Sequence, residues 1–159
     1  MRRRTFLLFS LLTIVTQSVA SSKNRTELLI IKDVLNHLFP TTTQYNGAKK
    51  FGAFKFLLYV SKHPTFDKDD LNFLFKGAKK LNSLEKNFLS FNSNQKEKSL
   101  REFEKLTLGQ NWLATLLNYG LEAMLGDSIY KGNQHMFGWK NIAHNTPIPT
   151  ATKPFGERS

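Results

Sequence analysis

The stretch TLGQNWLATLLNYGLEAML, residues 107–125, decides how this chain folds. Trp112, Leu116, Tyr119, Gly120, Ala123 and Met124 fall at helical spacing, and the remaining leucines leave the segment apolar around much of its circumference. A helix of that kind must be surrounded by other elements to leave water. Residues 107–125 are therefore expected to form the central helix of an all-α assembly, ended at Gly126.

The segments upstream supply the surroundings. Leu28, Ile31, Val34, Leu35 and Leu38 predict a first helix over about 26–39, stopped by Pro40. Phe51, Phe54, Leu57 and Leu58 predict a second over about 48–62, ending before His63-Pro64. Asp67 is placed to cap a third, about 68–90, along the stripe Leu71, Leu74, Phe75, Ala78, Leu81 and Phe88. Ser93 or Asn94 followed by Glu97 resembles a capping box and opens a short fourth helix carrying Leu100, Phe103 and Leu106. Beyond Gly126 the helical period gives way to glycines at 126, 132, 138 and 156 and prolines at 147, 149 and 154, which predict an ordered loop and then an extended tail. No alternating strand pattern and no internal repeat accompanies these segments. The expected architecture is a compact bundle of about five helices, residues 21–159 forming one domain with an irregular segment over 126–159.

Residues 1–20 read differently. Arg2-Arg3-Arg4 precede the apolar run Phe6 to Val15, and Ser18-Val19-Ala20 offers small residues for cleavage after Ala20. The apolar run is about half the length a membrane-spanning helix needs. Arg3, Arg4, Phe6 and Leu7 match a twin-arginine export signal, although Leu8 stands where a lysine is usual. An arginine-rich general secretory leader is the alternative. Twin-arginine substrates cross the membrane folded, generally with a cofactor already bound, so a cofactor-free chain with such a leader is expected to travel with a partner that holds one.

Composition narrows the chemistry. The 159 residues include 23 Lys or Arg and 12 Asp or Glu, a net charge of +11, and loss of Arg2, Arg3 and Arg4 with the leader leaves +8. Lysines such as Lys49, Lys50, Lys76, Lys79, Lys80 and Lys96 are interleaved with apolar positions, the pattern of solvated helix faces, so no nucleic-acid partner is expected. The chain has no cysteine, which excludes disulfides, thiolate metal sites, iron–sulfur clusters and covalently attached haem c on this polypeptide. His37, His63, His135 and His144 form no metal-ligand motif. His37 is expected as a partly buried structural imidazole and His63 as a turn residue, while His135, His144 and Met136 share the glycine-rich segment where a haem or metal contact is conceivable. The carboxylates sit mostly at helix starts or on solvated faces, no acid pair stands out, and neither a dinucleotide nor a phosphate-binding loop is encoded. No catalytic residue, no cofactor and no metal is expected on this chain.

One segment stands apart: Gly126-Asp127-Ser128-Ile129-Tyr130-Lys131-Gly132-Asn133, followed by Gly138-Trp139. Turn-forming glycines, a capping aspartate and two aromatics suit a shaped loop that docks on another surface or wraps this protein's own core. At Gly126, Asp127, Tyr130, Gly132, Asn133, Gly138 and Trp139 the sequence resembles the gluconate 2-dehydrogenase subunit 3 family, whose pattern runs Gly-Asp-Pro-x-Tyr-Gly-Gly-Asn and then Gly-Trp. Ser128 replaces the proline and Lys131 the first glycine of the pair. Leu38-Phe39-Pro40 and Gly47-Ala48 resemble the family's first helix end and second helix start.

The resemblance implies a non-catalytic small subunit of a periplasmic dehydrogenase complex held at the inner membrane. Its large partner is a glucose-methanol-choline-type flavoprotein carrying FAD, and a multihaem cytochrome c takes the electrons onward. The small subunit's leader then brings the flavoprotein to the twin-arginine translocase, and the C-terminal residues are candidates for docking on it. Two other classes remain: a free-standing basic periplasmic protein that binds anionic membrane, and a small enzyme in its own right. Substrate choice would lie in the flavoprotein, among gluconate, other sugar acids and polyols.

Overall fold

A computed structural model describes residues 24–145 together with 152–153. The leader residues Arg3, Arg4, Phe6, Leu7 and Ala20 lie outside the described residues, as do Pro147, Pro149 and Pro154. The fold is all-α, with no strand among the described residues. Its helices are α1 (Arg25–Leu38), α2 (Ala48–Phe51), α3 (Ala53–Val60), α4 (Lys68–Leu84), α5 (Ser93–Glu104), α6 (Thr107–Leu125) and α7 (Phe137–Asn141). Single 3-10 turns cover Phe88–Ser90, Ser128–Tyr130 and Gln134–Met136.

Helix α6 packs on every other helix of the bundle, but it is buried on one face only. Gly109, Trp112, Leu116, Gly120 and Ala123 leave water, whereas Leu117, Leu121 and Leu125 stay exposed, so the expected all-round enclosure is not met. Helices α1 and α4 form the most extensive pair, burying Ile30, Ile31, Val34 and Leu35 of α1 in one core with Leu74, Ala78 and Leu81 of α4. Trp112, fully buried on α6, fixes the α4–α6 crossing. Its indole N–H donates to the Leu74 carbonyl at 2.9 Å, and its ring lies over Gly77, where any Cβ would overlap the indole. Phe103 of α5 meets that ring edge-on, with centroids 5.8 Å apart.

The third helix, expected over about 68–90, stops at Leu84, and Phe88 belongs to a separate 3-10 turn. Three further local expectations change. The predicted second helix is two, because Gly52 adopts φ +85° and turns the chain between α2 and α3. A Cβ at Gly52 would sit 2.9 Å from the Lys131 carbonyl oxygen, so the break is also where the C-terminal segment passes. The capping box of α5 lies one residue upstream of Ser93 and two upstream of Asn94, the two caps expected: the Asn92 side chain accepts from the Gln95 N–H at 3.0 Å, and the Asn92 N–H donates to Gln95 Oε1 at 3.0 Å. That frees Glu97 for a different task. Its carboxylate lies 2.8 Å from His37 Nε2 and also pairs with Arg101, tying α5 to α1. The His37 contact, before the Arg101 charge, holds the Glu97 carboxyl below its ordinary range. Beside it, Lys96 Nζ lies 2.7 Å from Asp33 Oδ2, close enough for an ion pair although misaligned for a hydrogen bond. Third, the stretch after Gly126, expected to lack helical period, contains two 3-10 turns and the short helix α7.

Candidate docking segment and an acidic aromatic cleft

An α-helix ends with carbonyls that have no partner in the next turn. Helix α6 meets this need with residues brought back from downstream. The Asn133 N–H donates to the Ala123 carbonyl at 2.6 Å and the Trp139 indole N–H to the Leu125 carbonyl at 2.6 Å. Asn133 is itself fully buried at φ 42°, in the left-handed region that asparagine tolerates better than most residues. Its Nδ2 donates to the Gly126 carbonyl at 3.0 Å, and its Oδ1 accepts from the Gly138 N–H at 2.9 Å and the Trp139 N–H at 3.4 Å. One side chain thereby joins the start of the segment to its end.

The remaining members of the motif permit that closure. Asp127 accepts from the Ile129 N–H at 3.1 Å and caps the 3-10 turn that carries Tyr130. Gly132 and Gly138 lie against the Ala123 and Met124 carbonyls, where a Cβ would clash with main chain. Asn141 completes the clamp: its amide exchanges two hydrogen bonds of 3.0 Å with the backbone of Asn46, ahead of α2. The structure therefore gathers Gly126, Asp127, Tyr130, Gly132, Asn133, Gly138 and Trp139 at the C-terminal end of α6. It uses Asn133 and Trp139 internally, Trp139 being only 7% exposed. The side chains that this segment turns outward are Ser128, Lys131, His135, Met136 and Lys140. His135 contacts the Phe137 ring and His144 the Trp139 ring. Next to the clamp, α6 presents Leu117, Leu121 and Leu125 to solvent at intervals of four residues, 42%, 36% and 43% exposed. Leucines so spaced share one helix face, a ridge of apolar surface on the helix that otherwise forms the core.

A second feature was not visible in the sequence. Between α3, the start of α4, the C-terminal part of α6 and the Ser128–Tyr130 turn lies a cleft of ≈ 390 Å³ lined by Tyr59, Val60, His63, Thr65, Phe66, Asp67, Asp70, Tyr119, Glu122 and Tyr130. It brings together the carboxylates that had shown no pairing along the chain. The Tyr119 hydroxyl donates to Asp70 Oδ2 at 2.6 Å while its ring stacks on Phe66, with centroids 5.7 Å apart. Burial first, and the Asp70 hydrogen bond and charge next, push the Tyr119 phenol well above its ordinary value. Glu122 is raised as well, by burial and then by the charge of Asp70. Among the described residues Asp67, Asp70 and Glu122 take part in no ion pair, in a chain with a large cationic excess. Lys131 reaches the rim, its Nζ 5.8 Å from the centroid of the Tyr59 ring. Asp67 with Asp70 and Tyr119 with Glu122 are each three residues apart, so each pair lies on one helix face. That spacing was the available signal, and it gave no hint that the two faces meet.

A carboxyl whose folded value lies above its unfolded one favours the fold only while protonated. The stability that Glu122 permits is fully present below its unfolded pKa of 4.5 and is lost as pH rises through the raised folded value. Glu122→Gln, a neutral isostere, is therefore expected to unfold at slightly higher temperature than the parent at neutral pH. The gain is less than ~1 kcal/mol because solvent reaches this carboxylate. It should vanish below about pH 4, which thermal melts across the pH range will register.

Comparison with family models, with curated proteins and with solved structures returned no match for this chain.

Proposed function

We propose that this protein is the non-catalytic small subunit of a periplasmic, inner-membrane-associated dehydrogenase of the gluconate 2-dehydrogenase type. In this reading it escorts a glucose-methanol-choline-type flavoprotein carrying FAD through the twin-arginine translocase. It then holds that flavoprotein in a complex whose multihaem cytochrome c receives the electrons. The observation that carries the reading is the solvent-facing ridge of Leu117, Leu121 and Leu125 beside a C-terminal segment that is already locked in shape. An apolar row on a central helix costs solubility unless something covers it, and a pre-ordered neighbouring loop lowers the entropy lost on docking.

The motif residues have a defined part in this proposal. Asn133, Trp139, Gly132 and Gly138 set the shape of the docking segment, and Met136, His135 and Lys131 with the leucine ridge make the contact. Among the described residues no helix is long and apolar enough to cross a membrane, so membrane attachment is assigned to the partners. In the producing cell, Arg3→Lys with Arg4→Lys is expected to strand the flavoprotein in the cytoplasm. Leu117→Lys with Leu121→Lys is expected to abolish co-purification of flavin-containing chains while leaving the helical circular dichroism unchanged. A flavoprotein exported normally beside the twin-lysine variant, or native protein recovered from the envelope without any flavin-binding partner, overturns the proposal.

A further inference from the structure

The cleft between α3, α4 and α6 does not include the leucine ridge, although Tyr130 of the C-terminal segment closes one side of it, and its lining has a definite chemical preference. Four aromatic rings, from Tyr59, Phe66, Tyr119 and Tyr130, share it with the carboxylates of Asp67, Asp70 and Glu122. An anion would be repelled by three carboxylates. A neutral apolar ligand would strip them of water with nothing in return. A bare metal ion needs several ligands converging on one point, and among the described residues no three His, Asp or Glu side chains do so. An organic cation satisfies both halves of the lining: its charge faces the carboxylates, and its weakly hydrated surface lies on the negative faces of the rings.

The chain already makes one such contact at the rim, where the Lys131 ammonium sits 5.8 Å from the Tyr59 centroid. Asp70 is held in place by the Tyr119 hydroxyl at 2.6 Å and acts on the solvent-reached Glu122 as a like charge, and neither carboxylate forms an ion pair among the described residues. A volume of ≈ 390 Å³ accommodates a small molecule. We propose that this cleft binds a small organic cation, its ammonium or guanidinium group seated between Asp70 and Glu122 and its carbon skeleton lying against Tyr59 and Tyr119.

The test is calorimetric titration of the purified full chain with choline, agmatine and an arginine-containing tripeptide, using dimethylbutanol as the neutral isostere of choline. Saturable binding of the cations, and none of dimethylbutanol, is expected. Agmatine binding better than the tripeptide assigns the cleft to free amines, and the reverse assigns it to a basic side chain offered by another polypeptide. Glu122→Gln and Asp70→Asn, which remove charge with little change of shape, should each weaken binding about tenfold, the scale on which a partly desolvated charge pair acts. Lys131→Ala, which removes a competing cation, should tighten it. Absence of saturable heat with all three cations, equal binding of the neutral isostere, or unchanged affinity in a Glu122→Gln, Asp70→Asn double variant that still melts cooperatively would each refute the assignment.

Discussion

Asn133→Ala is expected to cost about 3 kcal/mol of unfolding free energy, a large effect for a polar residue. The substitution removes the acceptor of the buried Gly138 and Trp139 N–H groups and the donor to the partly buried Gly126 carbonyl. Each buried polar group left without a partner costs about 1–3 kcal/mol. Alanine is also less tolerant than asparagine of a φ of 42°. The sum is limited because the segment after Gly126 can detach and regain water, so the loss should not exceed the free energy that holds this segment down. Asn133→Gly separates the two causes. Glycine relieves the backbone conformation but restores no hydrogen bond, so nearly the whole loss should persist. Chemical denaturation gives the magnitude, and amide exchange at Gly138 and Trp139 gives the location, since their protection should fall before that of α6.

Trp112→Ala should be more damaging still, at about 4 kcal/mol. The indole is fully buried, it spans the α4–α6 crossing, and Gly77 is without a side chain so that the ring can lie there. Neighbours cannot collapse into the vacated space, because Phe103 and the backbone of α4 are both held by their own helices. Trp112→Phe should recover more than half of the loss, since the Leu74 carbonyl retains its own helical hydrogen bond and only part of the volume is missing. If Trp112→Phe were as destabilising as Trp112→Ala, the indole N–H rather than the filled volume would be the dominant contribution. Urea unfolding of both variants decides between them.

Legibility of the fold followed the physical range of each cause. The bounds of α6 could be read because its period is local and Gly126 ends it, and Asp67 was recognisable as a cap because its acceptor lies two residues from the amide it serves, at 2.8 Å. The break at Gly52 was hidden, since Phe51, Phe54 and Leu57 keep a helical period across it while its cause, the passing Lys131 backbone, lies far along the chain. Glu97 resembles the closing acid of a capping box, which sets the expected box up to two residues late, whereas Gln95 closes it. The acid instead answers His37 on another helix. The fold of the C-terminal motif was anticipated only as a choice between docking and wrapping. Which carbonyls the Asn133 and Trp139 donors reach depends on where α6 ends in space. The acidic cleft was illegible for the same reason: Asp70 and Glu122 become neighbours only when α4 and α6 cross.

The chain's two tryptophans both give their indole N–H to a main-chain carbonyl, one inside the core at Leu74 and one at the end of α6 at Leu125. They therefore form a pair of intrinsic optical probes with separate reporting zones. A red shift confined to Trp139 would announce that the terminal wrap has peeled away while the interior remains dry, and a later shift from Trp112 would mark collapse of the bundle itself. Time-resolved emission of the two single-tryptophan phenylalanine variants would thus follow unwrapping and melting as distinct events, with no label attached.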